Sequence, residues 1–249
     1  MEHILKNSLV GVGPFFSPDS PEFKHLKVLE ENWEKIREEF LSVQQTCRFP
    51  LLQEVEPSQT WEASGNWEIV LLRVYNVDVP ENIQKFPVLQ KILSSFTDVP
   101  TAMFSVLKPG GYIAPHCGYY NGVLRYHLGL LVPNQPRPPA RLGIRVGTQW
   151  STWSKGKAIM FDDCYEHEVW NETCMPRVVL FLDVVRPLSG FSRFINDLFL
   201  WLMAFHPTAI LYRRNAPILE MAPAPCSGLR ANHAAILRPQ GQFAQPQRA

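Results

Sequence analysis

Between residues 20 and 40 the large apolar side chains recur every three or four positions. Phe23, Leu26, Leu29, Trp33, Ile36 and Phe40 are separated by the polar stretches "EEN", "EK" and "REE". That is the period of a helix with one apolar face. Ser20 can cap it, and Pro21 suits the first helical position. A second helix is expected over 83–96, through "FPVLQKILSSF". The pattern then changes. "WEIVLLRVYNV" (67–77), "TAMFSVL" (101–107), "VLRYHLGLLV" (123–132), "LGIRV" (142–146), "KAIMFDD" (157–163) and "RVVLFLDVV" (177–185) are short, rich in β-branched and aromatic residues, and separated by Pro, Gly and Asn. Strands at such spacing predict a sandwich or barrel.

A third pattern follows. "GFSRFINDLFLWLMAFHP" (190–207) reads as a helix apolar almost all round, uninterrupted from Leu198 to Phe205. Two readings stay open: a helix packed on the domain, or a helix over 191–205 in peripheral contact with a membrane, where Trp201 and the phenylalanines suit the headgroup boundary. After Asn215 the chain turns to Pro, Ala and Gln, which predicts a disordered tail.

The side-chain alternation of two strands points to chemistry. In 123–132, Val123, Arg125, His127 and Gly129 share one face, and Leu124, Tyr126, Leu128 and Leu130 share the other. The second face belongs to a core. The first lines a cavity or meets solvent, and taken alone it favours solvent. In 177–185 both faces are apolar, so the strand is expected to be buried on both sides. Arg177 at its start then needs an anion, because an unpaired buried charge is costly. A bound carboxylate would serve; Asp163 or Asp183 is the structural alternative.

Composition narrows the field. With 249 residues, 46% apolar and 19% charged, the chain suits one sizeable globular domain. A formal net charge of +1 provides no field to gather nucleic acid, so no nucleic-acid partner is expected. The cysteines at 47, 117, 164, 174 and 226 are odd in number and form no C-x-x-C pair. Neither a disulfide framework nor a structural zinc site is expected, which fits a reducing, cytoplasmic setting. The start "MEHILKNSLV" lacks the pattern of a secretory signal, and no stretch reaches the roughly 18 apolar residues of a spanning helix.

"HCGYYNGVLRYHLGL" (116–130) and "FDDCYEHEVWNET" (161–173) hold the remaining candidates, His116 and His167, with Gly118 two positions after the first histidine. Four blocks in order, "FSVLKPGGYIAPHCG", "LRYHLGLLVP", "WSKGKAIMFDDCYEHEVWN" and "RVVLFLDVVRP", resemble the aspartyl/asparaginyl β-hydroxylase family of Fe(II)/2-oxoglutarate-dependent dioxygenases over roughly 101–187, with weaker similarity back to Trp67. The resemblance implies a mainly β fold, a double-stranded β-helix (jelly roll, cupin-like). This core has flanking N-terminal helices and an apolar C-terminal helix. The implied organisation is an irregular segment 1–20, the dioxygenase domain 21–189, the helix 190–212 and the tail 213–249.

The resemblance also implies roles. His116 and His167 become the iron ligands, and Gly118 matches members that lack the usual carboxylate of the facial triad. Arg177 matches the arginine that pairs with the distal carboxylate of 2-oxoglutarate. Ser105, Arg125 and His127 match positions contacting this cosubstrate, and Trp67 loosely matches a tryptophan near it. Cofactors would be Fe(II), 2-oxoglutarate and O2. Cys117 reads as a small core residue, and Glu166 and Glu168 as surface charges or orienting neighbours. The implied substrate is an aspartyl or asparaginyl residue of a peptide, or an amino acid, attacked at the β-carbon. "GVLRYHLGLLVPN" leans instead towards the bacterial lipid A hydroxylase branch, which makes a lipid acyl chain the alternative. Halogenation at a site lacking the carboxylate and a non-catalytic binding module are the remaining readings.

Overall fold

The strand-forming runs pair into two antiparallel sheets, with helices laid over one of them. The computed structural model describes residues 7–57 and 66–220. In chain order the elements are β1 (Phe15–Phe16), a 3-10 turn (Pro21–Leu26), α1 (Lys27–Glu31), α2 (Trp33–Thr46), β2 (Cys47–Arg48), α3 (Leu52–Val55), β3 (Trp67–Val74), β4 (Val77–Asp78), α4 (Pro80–Ile83) and α5 (Pro87–Leu93). There follow β5 (Thr101–Leu107), β6 (Gly111–His116), β7 (Val123–Leu131), β8 (Leu142–Val146), β9 (Gln149–Ser151), β10 (Ala158–Phe161), β11 (His167–Asn171) and β12 (Arg177–Val185). The chain continues through α6 (Gly190–Met203), α7 (Pro207–Asn215) and β13 (Leu219–Glu220).

The large sheet has the order β1-β10-β7-β12-β5-β3-β4, and the small one β6-β11-β8-β9. Their alternation builds three layers. Val178, Leu180, Leu182 and Val184 of β12, with Leu124, Tyr126, Leu128 and Leu130 of β7, pack against Phe23, Leu26, Ile36 and Phe40 on the helical side. Val179 and Phe181 face the other way, into a core shared with Ile113, Ile144, Val146 and Val169 of the small sheet. This is the double-stranded β-helix, and its inner space lies between the sheets.

Several elements differ from the sequence reading. The helix expected after Ser20 begins as a 3-10 turn and breaks at Asn32, whose side-chain amide donates to the Val28 carbonyl at 2.9 Å. Ser20 makes no side-chain cap. Of the helix expected over 83–96 only Pro87–Leu93 forms, opened by a proline, and Ile83 instead ends a separate short helix that starts at Pro80. The run 67–77 folds back on itself at Tyr75 and Asn76, which take positive φ and join β3 to β4 as a hairpin. Within the segment expected to be irregular, Phe15 and Phe16 pair with β10.

The helix expected over 190–212 is a pair bent by 55°. Order also persists past residue 213, where a disordered tail was expected. Ala216 and Ile218 are buried, Asn82 holds the Ala216 carbonyl and the Ile218 amide, and β13 pairs with β2. The rest of the expected tail, 221–249, lies outside the described residues.

One buried ion pair ties the end of the large sheet to the site. Arg186 is fully buried, donates from Nε to the Asn121 carbonyl at 2.7 Å and pairs with Asp162. Removing one partner of such a pair leaves a charge with neither water nor counter-ion. Asp162→Ala is therefore expected to cost about 3–5 kcal/mol in denaturant unfolding. An unchanged midpoint would show that the pair contributes nothing net.

Candidate active site

Neither strand that carries a candidate iron ligand was evident in the sequence. His116 ends β6, an edge strand of the small sheet, which is where Pro115 is tolerated because no neighbour needs its missing N–H. His167 opens β11, the adjacent strand, and the two histidines are direct cross-strand partners. Their ring centroids lie 4.1 Å apart. His116 Nδ1 is 2.8 Å from the Ala114 carbonyl, and His167 Nδ1 is 3.0 Å from the Tyr165 carbonyl. A carbonyl only accepts, so each Nδ1 carries the proton and each Nε2 presents a lone pair. Burial lowers the pKa of His116. Burial and then the neighbouring His116 bring His167 down to about 3. Both rings are thus neutral, the form that binds metal.

Gly118 is occupied space rather than a gap. A Cβ there would collide with the carboxylate of Asp163, whose carbonyl accepts the Gly118 amide at 2.7 Å. Asp163 pairs with Arg125 at 2.8 Å, and Arg125 reaches Asp183 at 3.3 Å and lies over the Phe181 ring. Burial lifts the Asp163 carboxyl to about 6 against the pull of Arg125. Burial opposes the charge on Arg125, but Asp163 and Asp183 outweigh it and hold the guanidinium above its ordinary value. Overpacking of this kind typically costs about 1–3 kcal/mol, so Gly118→Ala and Gly118→Asp should both lose about that much unfolding free energy, read as a lower unfolding midpoint. The aspartate variant should also lose turnover, because its carboxylate must displace Asp163 from Arg125. Wild-type stability in Gly118→Ala would mean that Asp163 yields freely.

Arg177 is not paired with either candidate aspartate, since both belong to Arg125. It is 1% exposed, and its Nε has no partner. Nη1 donates to the Ser105 hydroxyl at 3.2 Å and weakly to its carbonyl, and the guanidinium lies 4.7 Å from the Trp153 ring centroid. Burial without an anion draws the pKa down to about 9. Trp67 Nε1 also donates to the Ser105 hydroxyl, at 2.9 Å. Trp67 and Arg177 both align with Leu107 across β5, so the sheet register brings these three residues together. A hydroxyl that accepts two hydrogen bonds keeps its own proton for a further acceptor.

His127 stands nearby, with both ring nitrogens buried and unpartnered. It lies between Phe161, Phe181 and Trp153. Burial, then Arg177, holds it well below its ordinary pKa. The polar face of β7 is therefore turned inwards, because the small sheet covers it, and the solvated face that the pattern alone favours is not what forms.

A cavity of about 250 Å³ reaches His116 and Trp67, whereas Ser105, His127, His167 and Arg177 are not among its described lining residues. His116, Gly118, Arg125, Asp163 and Trp67 line it together with Leu52, Val55, Ile69, Leu71, Met103 and Val123, and with Leu200 and Tyr212 from α6 and α7. Cys117 lines it too and is exposed, contrary to its reading as a core residue. The strand ends at His116, so the alternation that would have turned Cys117 inwards stops before it. Glu166 and Glu168 both pair with Arg145, and Tyr112 donates to Glu168, so they brace the small sheet. Asp162, Asp163 and Cys164 also cluster closely enough to hold a cation. Arginines already balance both carboxylates, and burial pushes the Cys164 thiol up to about 12, so the histidine pair is the better donor set.

Residues 30–187 match the family model described as Aspartyl/Asparaginyl beta-hydroxylase. The ornithine lipid ester-linked acyl 2-hydroxylase of Rhizobium tropici is 37% identical over 82% of this chain and 71% of its own length. The aspartyl/asparaginyl beta-hydroxylase of Homo sapiens is 30% identical over 70% of this chain, which spans only 23% of that protein. A prolyl-4-hydroxylase structure from Pseudomonas putida covers 66% of this chain and all of its own, with a TM-score of 0.39 and 12% identity. On the extent of the family match and the identity to these curated relatives, the chain belongs to the aspartyl/asparaginyl β-hydroxylase family of hydroxylases.

Proposed function

We propose that the protein is an Fe(II)/2-oxoglutarate-dependent dioxygenase that hydroxylates an unactivated carbon of a lipid acyl chain. The observation that carries the chemistry is the pairing of two neutral histidines, each with a free Nε2, with a buried arginine that lacks an anion. Two imidazoles leave open positions on a metal. An iron held there, with 2-oxoglutarate and O2, would supply oxidative decarboxylation to succinate and CO2 coupled to hydroxylation. The chain's own residues bind and orient. His116 and His167 would hold the metal, Arg177 would take the distal carboxylate through its fork, and Ser105, positioned by Trp67, would donate its hydroxyl proton to the same group. His127 contributes its unpartnered ring to that buried polar pocket. Arg125 is neutralised by Asp163 and Asp183, so its part is to set the charge of the cavity wall.

Charge and lining also support the acyl chain as substrate. Arg125 is the one cation among the described lining residues, and two carboxylates share it. An aspartyl side chain would meet excess negative charge there. The apolar lining, from Leu52 through Met103 to Leu200, suits an alkyl chain. The similarity to the acyl 2-hydroxylase of R. tropici supports this reading over the aspartyl or asparaginyl one.

The test is succinate release from purified protein with Fe(II), 2-oxoglutarate and O2. Acylated lipid should raise the rate, and Asp- or Asn-containing peptides should not. Stimulation by the peptides alone would overturn the acyl assignment and keep the oxygenase. A halogenated product in the presence of bromide would replace hydroxylation.

A further inference from the structure

α6 buries polar residues and exposes apolar ones. Ser192 and Asn196 are buried against the domain with Leu200, while its two charged residues, Arg193 and Asp197, pair with each other outside. Asn196 donates to the Gly122 carbonyl at 3.1 Å and accepts from the Tyr120 hydroxyl. The outer face carries Phe191, Phe194, Leu198, Trp201 and Phe205, at spacings of three and four, with exposures from 40% to 70%. Ile210 and Leu211 continue the apolar surface on α7. A contiguous apolar face of this size marks a contact surface rather than ordinary scatter.

We infer that the outer face of α6 and α7 docks the protein on an anionic lipid bilayer and opens the cavity to acyl chains from it. This inference rests on the acyl reading of the site. Charge favours this occupant. Residues 190–215 carry three arginines, Arg193, Arg213 and Arg214, against one acid, Asp197, which Arg193 already pairs. The Arg213 guanidinium is held by the carbonyls of Val74 and Ala204, so its charge is not balanced. Position favours it too, because the same two helices supply Leu200 and Tyr212 to the cavity. An alkyl chain would then pass from lipid to site along one apolar surface.

The helices lie on the membrane rather than cross it. Fourteen residues extend about 21 Å, short of a hydrocarbon core of about 30 Å. The 55° bend and the hydrogen bonds of Asn196 keep the pair against the domain.

The test is co-flotation of the full chain with vesicles of phosphatidylglycerol and phosphatidylethanolamine, compared with phosphatidylcholine. Binding should favour the anionic vesicles and weaken with salt. The double variant Phe194→Glu, Trp201→Glu should lose about tenfold or more of the bound fraction, and Trp201→Ser should lose part of it. Succinate release with a soluble short-chain acyl ester should be unchanged in both. No flotation with any vesicle, or wild-type flotation of the double variant, would overturn the inference. So would a dimer in light scattering that the double variant dissociates, without vesicle binding. Flotation without acyl-dependent succinate would instead sink the reading of the site and leave the docking face standing.

Discussion

His167→Ala should lower iron affinity at least about tenfold, the smaller end of what losing even a partner that orients a ligand costs. The pair His116→Ala, His167→Ala should bind no iron and release no succinate. The geometry gives the reason. Each ring is tied through Nδ1 to a backbone carbonyl two residues before it, so both Nε2 atoms are aimed by the strands themselves. Nothing flexible has to be ordered when metal arrives. In the single variant His116 still lies at the cavity and offers one aimed nitrogen. Isothermal titration with Fe(II) or Mn(II) under anaerobic conditions would measure the loss. Wild-type metal affinity in the double variant would return both histidines to a structural role and move attention to the Asp162, Asp163 and Cys164 cluster.

Arg177→Ala should raise the 2-oxoglutarate requirement by about ten- to a hundredfold while leaving iron affinity unchanged. Hydrogen bonds to a charged group contribute about 1.5–3 kcal/mol, and each 1.4 kcal/mol is a factor of ten. The same residue makes a second, opposite expectation. A buried guanidinium without an anion is a cost to the folded protein, so Arg177→Met should melt higher than the wild type when no cosubstrate is present. Added 2-oxoglutarate should then stabilise the wild type and leave the variant unmoved, since a ligand stabilises only the state that binds it. A purely structural arginine would give the reverse, a lower melting temperature and an unaltered response to 2-oxoglutarate. Arg177→Lys should recover only part of the affinity, because an ammonium lacks the planar fork.

The residues that were legible in the sequence are those whose pattern is local. Alternation assigned the side chains of 123–130 and 177–185 to their faces, and the two-sided apolar run correctly buried Arg177. What stayed hidden depends on register. "GYIAPH" contains a glycine and a proline, and "HEVWN" is too short and too charged to alternate visibly, so β6 and β11 escaped notice. Both histidines entered as candidates only through the family resemblance, which marks them. Which aspartate meets which arginine was equally invisible. Asp163 and Asp183 lie on elements flanking β7, and only the pairing of β7 with β12 shows that they converge on Arg125 instead of Arg177. The role of Gly118 as room for Asp163 is likewise a contact between distant positions. The two-residue αL turn at Tyr75 and Asn76 lacks the glycine that would have announced it.

The walls of the cavity have two origins. His116, Arg125 and Asp163 fall within the segment that matches the family model, whereas Leu200 and Tyr212 lie beyond its end at residue 187. Part of the wall that would choose the molecule therefore lies on a stretch of chain separate from the histidines and Arg177. Substitutions at Leu200 or Tyr212 alter the volume and polarity offered to a substrate without touching a histidine or Arg177. A lineage could retune this wall one residue at a time, and an engineer could exchange 190–215 as a cassette, while the oxidising apparatus between the sheets stays as it is.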